Sequence, residues 1–187
     1  MHLGNLVEFR TLLSEEEYNR LMERFKGNRM DMQTNHYFDT KRFSLKAHDA
    51  SLRVIERDTL TLILKKKKGY NLQKFSLSIN KEIFDNICQT GIVPEGEIGS
   101  ELAPLIGNQK LINFLSLSTL RLFLPYKNGV LFIDKSHYLG QTDYELVYET
   151  SSHNLKEFVK LIGEFELQYK KTEKKIKRAF KAYKRFN

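Results

Sequence analysis

The chain has one cysteine, no tryptophan and only three prolines in 187 residues. A lone Cys88 closes no internal disulfide, which excludes the stapled scaffolds of small secreted domains. Cys88 falls on a predicted helix and is expected as a small buried apolar residue. No apolar run approaches the roughly 20 residues of a membrane-spanning helix. The N-terminal residues lack a charged stretch followed by an apolar one, so no secretory signal is visible and a cytoplasmic location is expected. The histidines have no ligand spacing with the cysteine, and His137 is expected to face solvent or to pack. Gly69 follows four lysines but lacks the GxxxxGK[ST] order of a phosphate-binding loop. Neither G-x-S-x-G nor H-E-x-x-H occurs. There is no internal repeat and no low-complexity linker, and the length fits one domain over 1–187.

What is abundant is positive charge. Lys and Arg number 31 against 23 Asp and Glu, a formal net charge of +8. That balance favours an anionic partner: nucleotide, polyphosphate, nucleic acid or membrane surface. The run Lys65 to Lys68 and the tail from Lys170 to Arg185, where Glu173 is the one acid, concentrate it. Such runs usually form a solvated face. The aromatics recur at helix or strand spacing, so they are expected as core under helices rather than as a platform for bases.

Strand-like segments alternate apolar with charged residues. Leu52, Val54 and Glu56 oppose Arg53, Ile55 and Arg57. Leu60, Leu62 and Leu64 oppose Thr61, Ile63 and Lys65. Tyr144, Leu146 and Tyr148 oppose Asp143, Glu145, Val147 and Glu149. Side chains in a strand alternate between faces, so each segment has a greasy side and a charged side. A sheet with one wet side is the ordinary outcome. A barrel with helices on its skin and charge in its lumen fits as well, and such a lumen would hold a polyanion.

Strands are predicted over 5–13, 33–39, 50–57, 59–67, 70–79, 115–126, 129–136 and 141–149. Turns are expected at Asp58, at Lys68-Gly69, at Asn128-Gly129 and around Gly140. Ser14 and Glu17 make a capping box for a helix over 15–26 that Gly27 ends. Asn80 caps a helix over 81–89. A further helix is expected after Ser100, with Pro104 in its first turn or interrupting it. Helix 154–166 begins at Asn154, and 173–186 shows Ile176, Phe180, Tyr183 and Phe186 at helical spacing.

In this order the residues resemble the CYTH family, the triphosphate tunnel metalloenzymes, and most of all its short members from Gram-positive bacteria. Leu6-Val7-Glu8-Phe9-Arg10 is similar to a degraded form of the opening ExExK strand. Thr34-Asn35-His36-Tyr37-Phe38-Asp39-Thr40 resembles NxYFDT. Leu52-Arg53-Val54-Ile55-Glu56-Arg57 resembles LRxRxK, and Leu62-Ile63-Leu64-Lys65 resembles TLTLK. Thr119 to Arg121 falls in the TxxR strand. Ile133 to Gly140 and Asp143 to Glu149 are similar to LDxxxYxG and DYELExE. Lys175-Ile176-Lys177-Arg178 resembles the SKxxR start of the last helix. The resemblance covers nearly the whole chain, and its specificity lies in order and spacing together.

The resemblance implies an α+β fold: an eight-stranded closed antiparallel β-barrel, or tunnel, with helices packed outside. It implies a small polyphosphorylated ligand such as tripolyphosphate or a nucleoside triphosphate, with Mg²⁺ or Mn²⁺ as cofactor. Arg10, Arg53, Arg57, Lys65, Arg121 and Arg178 would bind phosphate, with Lys74 and Lys175 as further cations. Glu8, Asp134, Glu145 and Glu149 would hold metal, Glu8 and Glu145 serving catalysis as well. Arginine forks match phosphate oxygens, and hard divalent ions want carboxylate oxygen. The acidic half is eroded: Leu6, Leu72 and Val147 stand at acidic positions of the family, and Ile55 and Ile63 replace an Arg and a Thr. Two readings of different class stay open. One is a metal-dependent phosphohydrolase. The other is the same barrel as an anion binder that has lost its chemistry. A third, an unrelated barrel that binds RNA or a protein through its basic tail, is kept beside them. No membrane partner and no nucleic-acid partner are expected under the first two, and the sequence carries no reading of oligomeric state.

Overall fold

The alternation becomes strands wherever it was read, and helices cover the greasy side. The computed structural model describes residues 7–68 and 71–186, with the side chains of 68, 71, 72 and 186 left aside. Leu6, the Gly69 turn and the Leu72 side chain therefore lie outside the described residues. The elements run β1 (Val7–Leu13), α1 (Glu15–Arg24), β2 (Met30–Thr40), α2 (Ser44–Ala47), β3 (Ala50–Glu56), β4 (Leu60–Lys68), β5 (Asn71–Ile79), α3 (Lys81–Thr90) and α4 (Glu97–Ile106). They continue with β6 (Leu111–Tyr126), β7 (Gly129–Tyr138), β8 (Gln141–Thr150), α5 (Leu155–Gly163) and α6 (Lys175–Phe186). The eight strands form an antiparallel sheet in the order β1-β8-β7-β6-β2-β3-β4-β5. This order is open, with β1 and β5 at its ends.

The chain divides into two compact units, 1–32 with 118–187, and 33–117. In the first unit, Leu13, Leu122, Leu131, Ile133, Leu146 and Tyr148 point to one side of the strands. There they bury Tyr18 and Leu21 of α1 and Phe158, Leu161 and Ile162 of α5. In the second, Leu52, Val54, Leu62 and Leu64 meet Leu45 of α2, Phe84 and Ile87 of α3, and Ile98 and Leu102 of α4. Each core is thus one sheet face under helices, held by the burial of apolar surface.

The helix starts follow the sequence. Ser14 accepts from the Glu17 backbone N–H at 3.0 Å and Glu17 accepts from that of Ser14 at 2.7 Å, a reciprocal capping box. Asn80 Oδ1 accepts from the Ile83 backbone N–H at 2.9 Å. Asn154 caps α5 through the Lys156 backbone N–H. Three local readings need correction. The hairpin turn between β6 and β7 is Lys127-Asn128, not Asn128-Gly129, because Tyr126 and Gly129 already pair as strand partners. Gly129 serves close packing instead: a Cβ there would stand 2.3 Å from the Glu149 carbonyl. Helix α4 starts at Glu97 rather than after Ser100, leaving Pro104 late in the helix. Cys88 is exposed. It follows Ile87 on α3, one step off the Phe84–Ile87 stripe that faces the core.

Candidate functional site

Opposite the greasy face of the first unit, β1, β8, β7 and β6 present a polar face whose residues line up in cross-strand rungs. One rung runs Leu12, Glu145, Asp134, Arg121. The next runs Arg10, Val147, Phe132, Phe123. Beyond it lie Glu8, Glu149, Val130 and Pro125. On the other side of the Glu145 rung stand Asp143, Ser136 and Thr119. Antiparallel register puts directly opposed side chains within reach of one another, and this register gathers charge around Asp134 and Glu145.

Asp134 is fully buried and Glu145 nearly so. Arg121 grips Asp134 with two parallel hydrogen bonds, Nε to Oδ1 and Nη2 to Oδ2, each 2.7 Å. Helix α6 brings two more cations to the same face. Lys175 Nζ pairs with Asp134 and stands 3.2 Å from Glu145 Oε1. Arg178 donates from Nη1 and Nη2 to Glu145 Oε2 at 3.0 Å and from Nε to Asp143 Oδ2 at 2.8 Å. Burial pushes the Asp134 carboxyl up, but the Arg121 hydrogen bonds and the Lys175 and Arg121 charges outweigh it and hold it below the ordinary carboxylate range. Burial works against the Arg178 cation too, and the Glu145 and Asp143 charges raise its pKa nonetheless.

Two acceptors in this cluster remain without a donor. Glu145 Oε1 is near Lys175 but outside hydrogen-bond geometry, and Asp143 Oδ1 is buried with no hydrogen-bond partner. Buried carboxylate oxygens of this kind suit a hard divalent cation, which is commonly held by one or two carboxylates plus water and phosphate. Among the described residues no group of three or more His, Cys, Asp or Glu is placed to hold one ion. The register explains this. Glu8 and Glu149 face each other in one rung, Asp134 and Glu145 in another, and Val147 fills the rung between.

The second unit also brings cations to the corresponding face. Its rungs run Tyr37, Arg53, Ile63, Ser76 and then Ser51, Lys65, Lys74. Lys65 lies directly opposite Lys74 in the register. Burial raises the Tyr37 phenol, and the Arg53 charge opposes that rise. Arg57 donates from Nε to Gln33 Oε1 at 2.8 Å. Ile63 is buried, so the Ile55 and Ile63 replacements do put hydrocarbon on this face. Glu56 lies on the opposite parity, where it pairs with His36 at 2.8 Å. Asp39 is structural: its carboxylate accepts from the backbone N–H groups of Thr40, Leu45 and Lys46 and so caps α2.

Of the candidate residues, Arg121, Asp134, Glu145, Arg178 and Lys175 thus form one cluster. Arg10 pairs with Glu8 at the outer rungs, and Glu149 stands across from Glu8. Arg53 and Lys65 lie on the polar face of the second unit. Two residues were overlooked. Asp143 receives Arg178, and the Tyr138 hydroxyl donates to Asp143 Oδ2 at 2.6 Å. Burial and then this carboxylate push the Tyr138 phenol up to about 12. The signal for both was parity: Asp143 shares the parity of Glu145 on β8, and Tyr138 that of Asp134 on β7.

A family model described as "CYTH domain" matches residues 5–180. YjbK of Bacillus subtilis (strain 168), provisionally named a triphosphatase, is 29% identical over 181 residues, 93% of each chain. A structure from Bacillus halodurans, provisionally described as an adenylate cyclase, superposes with a TM-score of 0.72 at 32% identity. That match covers 93% of this chain and 96% of the other. HpAC1 of Hippeastrum, described as revealing a dominant triphosphatase activity, gives a TM-score of 0.69. It covers 97% and 95% of the two chains, and at 16% identity the likeness is one of fold. No helix among the described residues is long and apolar enough to cross a membrane.

Proposed function

Since the chain belongs to the CYTH domain family, we propose that it binds a triphosphate-bearing anion on its polar strand faces and hydrolyses the phosphoanhydride with a divalent metal. The observation that carries this reading is the buried Asp134–Glu145 pair ringed by Arg121, Lys175 and Arg178. The carboxylate partners of Arg121 and Arg178 outweigh burial and hold both guanidinium groups in place, so a polyphosphate meets preorganised charge. The same proposal takes the eight strands as a closed barrel of one domain, 1–187, with the polar parity as its lumen. Arg10 would then contact phosphate beside Arg121 and Arg178 in the first unit, and Arg53, Arg57 and Lys65 are the phosphate candidates of the second.

Asp134 and Glu145 would hold Mg²⁺ or Mn²⁺, with Glu8 and Glu149 as the outer carboxylate pair. When bound, the metal neutralises charge on the phosphoryl oxygens and lowers the pKa of a coordinated water. Arg121 and Arg178 orient the two inner carboxylates by their forked hydrogen bonds. Glu145, whose Oε1 lies 3.2 Å from the Lys175 ammonium, would accept a proton from an attacking water.

Two observations favour a second reading, the anion binder without turnover. Val147 interrupts the carboxylate pairs, and both inner acids already carry cation partners. Phosphate release from tripolyphosphate and ATP, with Mg²⁺ and Mn²⁺ scanned, separates the two. Metal-dependent turnover that is lost in Glu145→Gln and Arg53→Ala supports hydrolysis. No turnover, with tripolyphosphate still raising the melting temperature, supports the binder. No turnover together with an unchanged melting temperature overturns both.

A further inference from the structure

The acid–cation cluster balances its own charge. Asp134, Asp143 and Glu145 supply three negative charges, and Arg121, Lys175 and Arg178 supply three positive ones. The two inner acids, Asp134 and Glu145, face each other directly across β7 and β8. Lys175 Nζ lies between them, paired with Asp134 Oδ2 and 3.2 Å from Glu145 Oε1. An ammonium that bridges two opposed carboxylates does there what a divalent ion would do. A further cation entering beside it would meet a cluster with no net negative charge and a like charge close by. The neighbouring rung, Arg10, Val147, Phe132 and Phe123, adds no carboxylate to offset that charge.

The three cations are held unequally. Arg121 grips Asp134 through two nitrogens at 2.7 Å each, and its guanidinium lies 4.2 Å over the Phe132 ring. Arg178 is tied from two sides. It reaches Asp143 and Glu145, and its Nη1 also donates to the Glu173 carbonyl at 2.6 Å and to Thr172 Oγ1 at 3.3 Å. Among the described contacts Lys175 holds only the two inner carboxylates. Its ammonium is a compact point charge on a flexible stem, and 18% of the side chain remains open, which leaves it a way out. We infer that Lys175 is a resident counter-ion that occupies the seat of a divalent cation on Asp134 and Glu145, and that it must swing out before such an ion can enter. The inference rests on the acid pair named above as the metal holder, and it concerns occupancy of that pair rather than turnover.

Titration with Mn²⁺, followed by the electron paramagnetic resonance of the free ion and with no phosphate compound present, tests this on the wild type, Lys175→Met and Lys175→Arg. Lys175→Met keeps most of the stem and removes the charge. It should bind Mn²⁺ about tenfold or more tighter than the wild type, the scale on which one adjacent charge shifts an ionic equilibrium. Lys175→Arg keeps the charge and should bind as weakly as the wild type. No gain in Lys175→Met, or an equal gain in Lys175→Arg, overturns the inference. Arg121 and Arg178 remain as partners of the two acids in Lys175→Met, and its melting temperature without metal shows that it folds. The wild type supplies a check that needs no variant. Acetylation of Lys175 by acetic anhydride, read by mass spectrometry, should rise at high Mg²⁺ while that of the exposed Lys171 does not. Unchanged Lys175 acetylation overturns the inference. No phosphate compound enters either measurement, so their outcome stands apart from that of the phosphate-release assay.

Discussion

Asp134 shows how burial and pairing combine at a single residue. With no exposed surface and two cations on it, removing its charge leaves Arg121 and Lys175 short of a partner. Asp134→Asn should cost about 3 kcal/mol in urea unfolding near neutral pH. Because the folded carboxyl lies below its ordinary value of 3.8, its contribution is complete above that value and is lost as pH falls through the depressed one. The stability gap between wild type and Asp134→Asn should therefore hold from pH 5 to pH 8 and close in acid. A gap that persists in strong acid would place the effect elsewhere. Tyr138 gives the opposite limb. Its phenol titrates near 12 against an ordinary 10, so its contribution is complete below 10 and drains away as pH rises through 12. Phenolate absorbance should show one late-ionising tyrosine that Tyr138→Phe removes. The parity that locates both groups was legible in the sequence. Their partners were not, since Lys175 reaches Asp134 from a helix 41 residues further on.

At the scale of elements, local chemistry was read best where a side chain bonds its own backbone. Ser14, Asn80 and Asn154 cap the helices they were expected to cap. Where the local signal is short or ambiguous, tertiary contacts set the element instead. Helix α2 has four residues, too few for any period, and depends on a carboxylate from β2. The Asn128-Gly129 pair imitates a hairpin turn, yet Gly129 is required by its approach to β8. The hairpin between β7 and β8 places Leu139 at φ +49° and Gly140 at φ +71°. Two positive φ angles favour Asn-Gly, and a leucine there is strained. Leu139→Asn should raise stability by about 0.5–1 kcal/mol, read as a higher urea midpoint with an unchanged slope. A lower midpoint would mean that the partly exposed Leu139 side chain packs to more effect than its backbone strain costs.

For the whole molecule, the net charge of +8 gathers partly on strand faces rather than only in the basic tail. Polyphosphate capture that relies on such charge must weaken with ionic strength, because screening shortens the reach of each cation. The rise in melting temperature given by tripolyphosphate should shrink steadily between about 0.05 M and 0.5 M salt, where the Debye length falls to a few ångströms. A shift indifferent to salt would speak against an electrostatic site. The sequence alone determined the eight strands, which face of each is greasy, the main helix caps and the resemblance to the family, because period-two alternation and capping act between near neighbours. Tertiary structure alone decided which charges meet. Asp134, Glu145, Arg121, Lys175 and Arg178 come from three strands and the last helix, and only antiparallel register and the docking of α6 bring them within hydrogen-bonding distance. The same register, not composition, put Phe123 and Phe132 on the charged face.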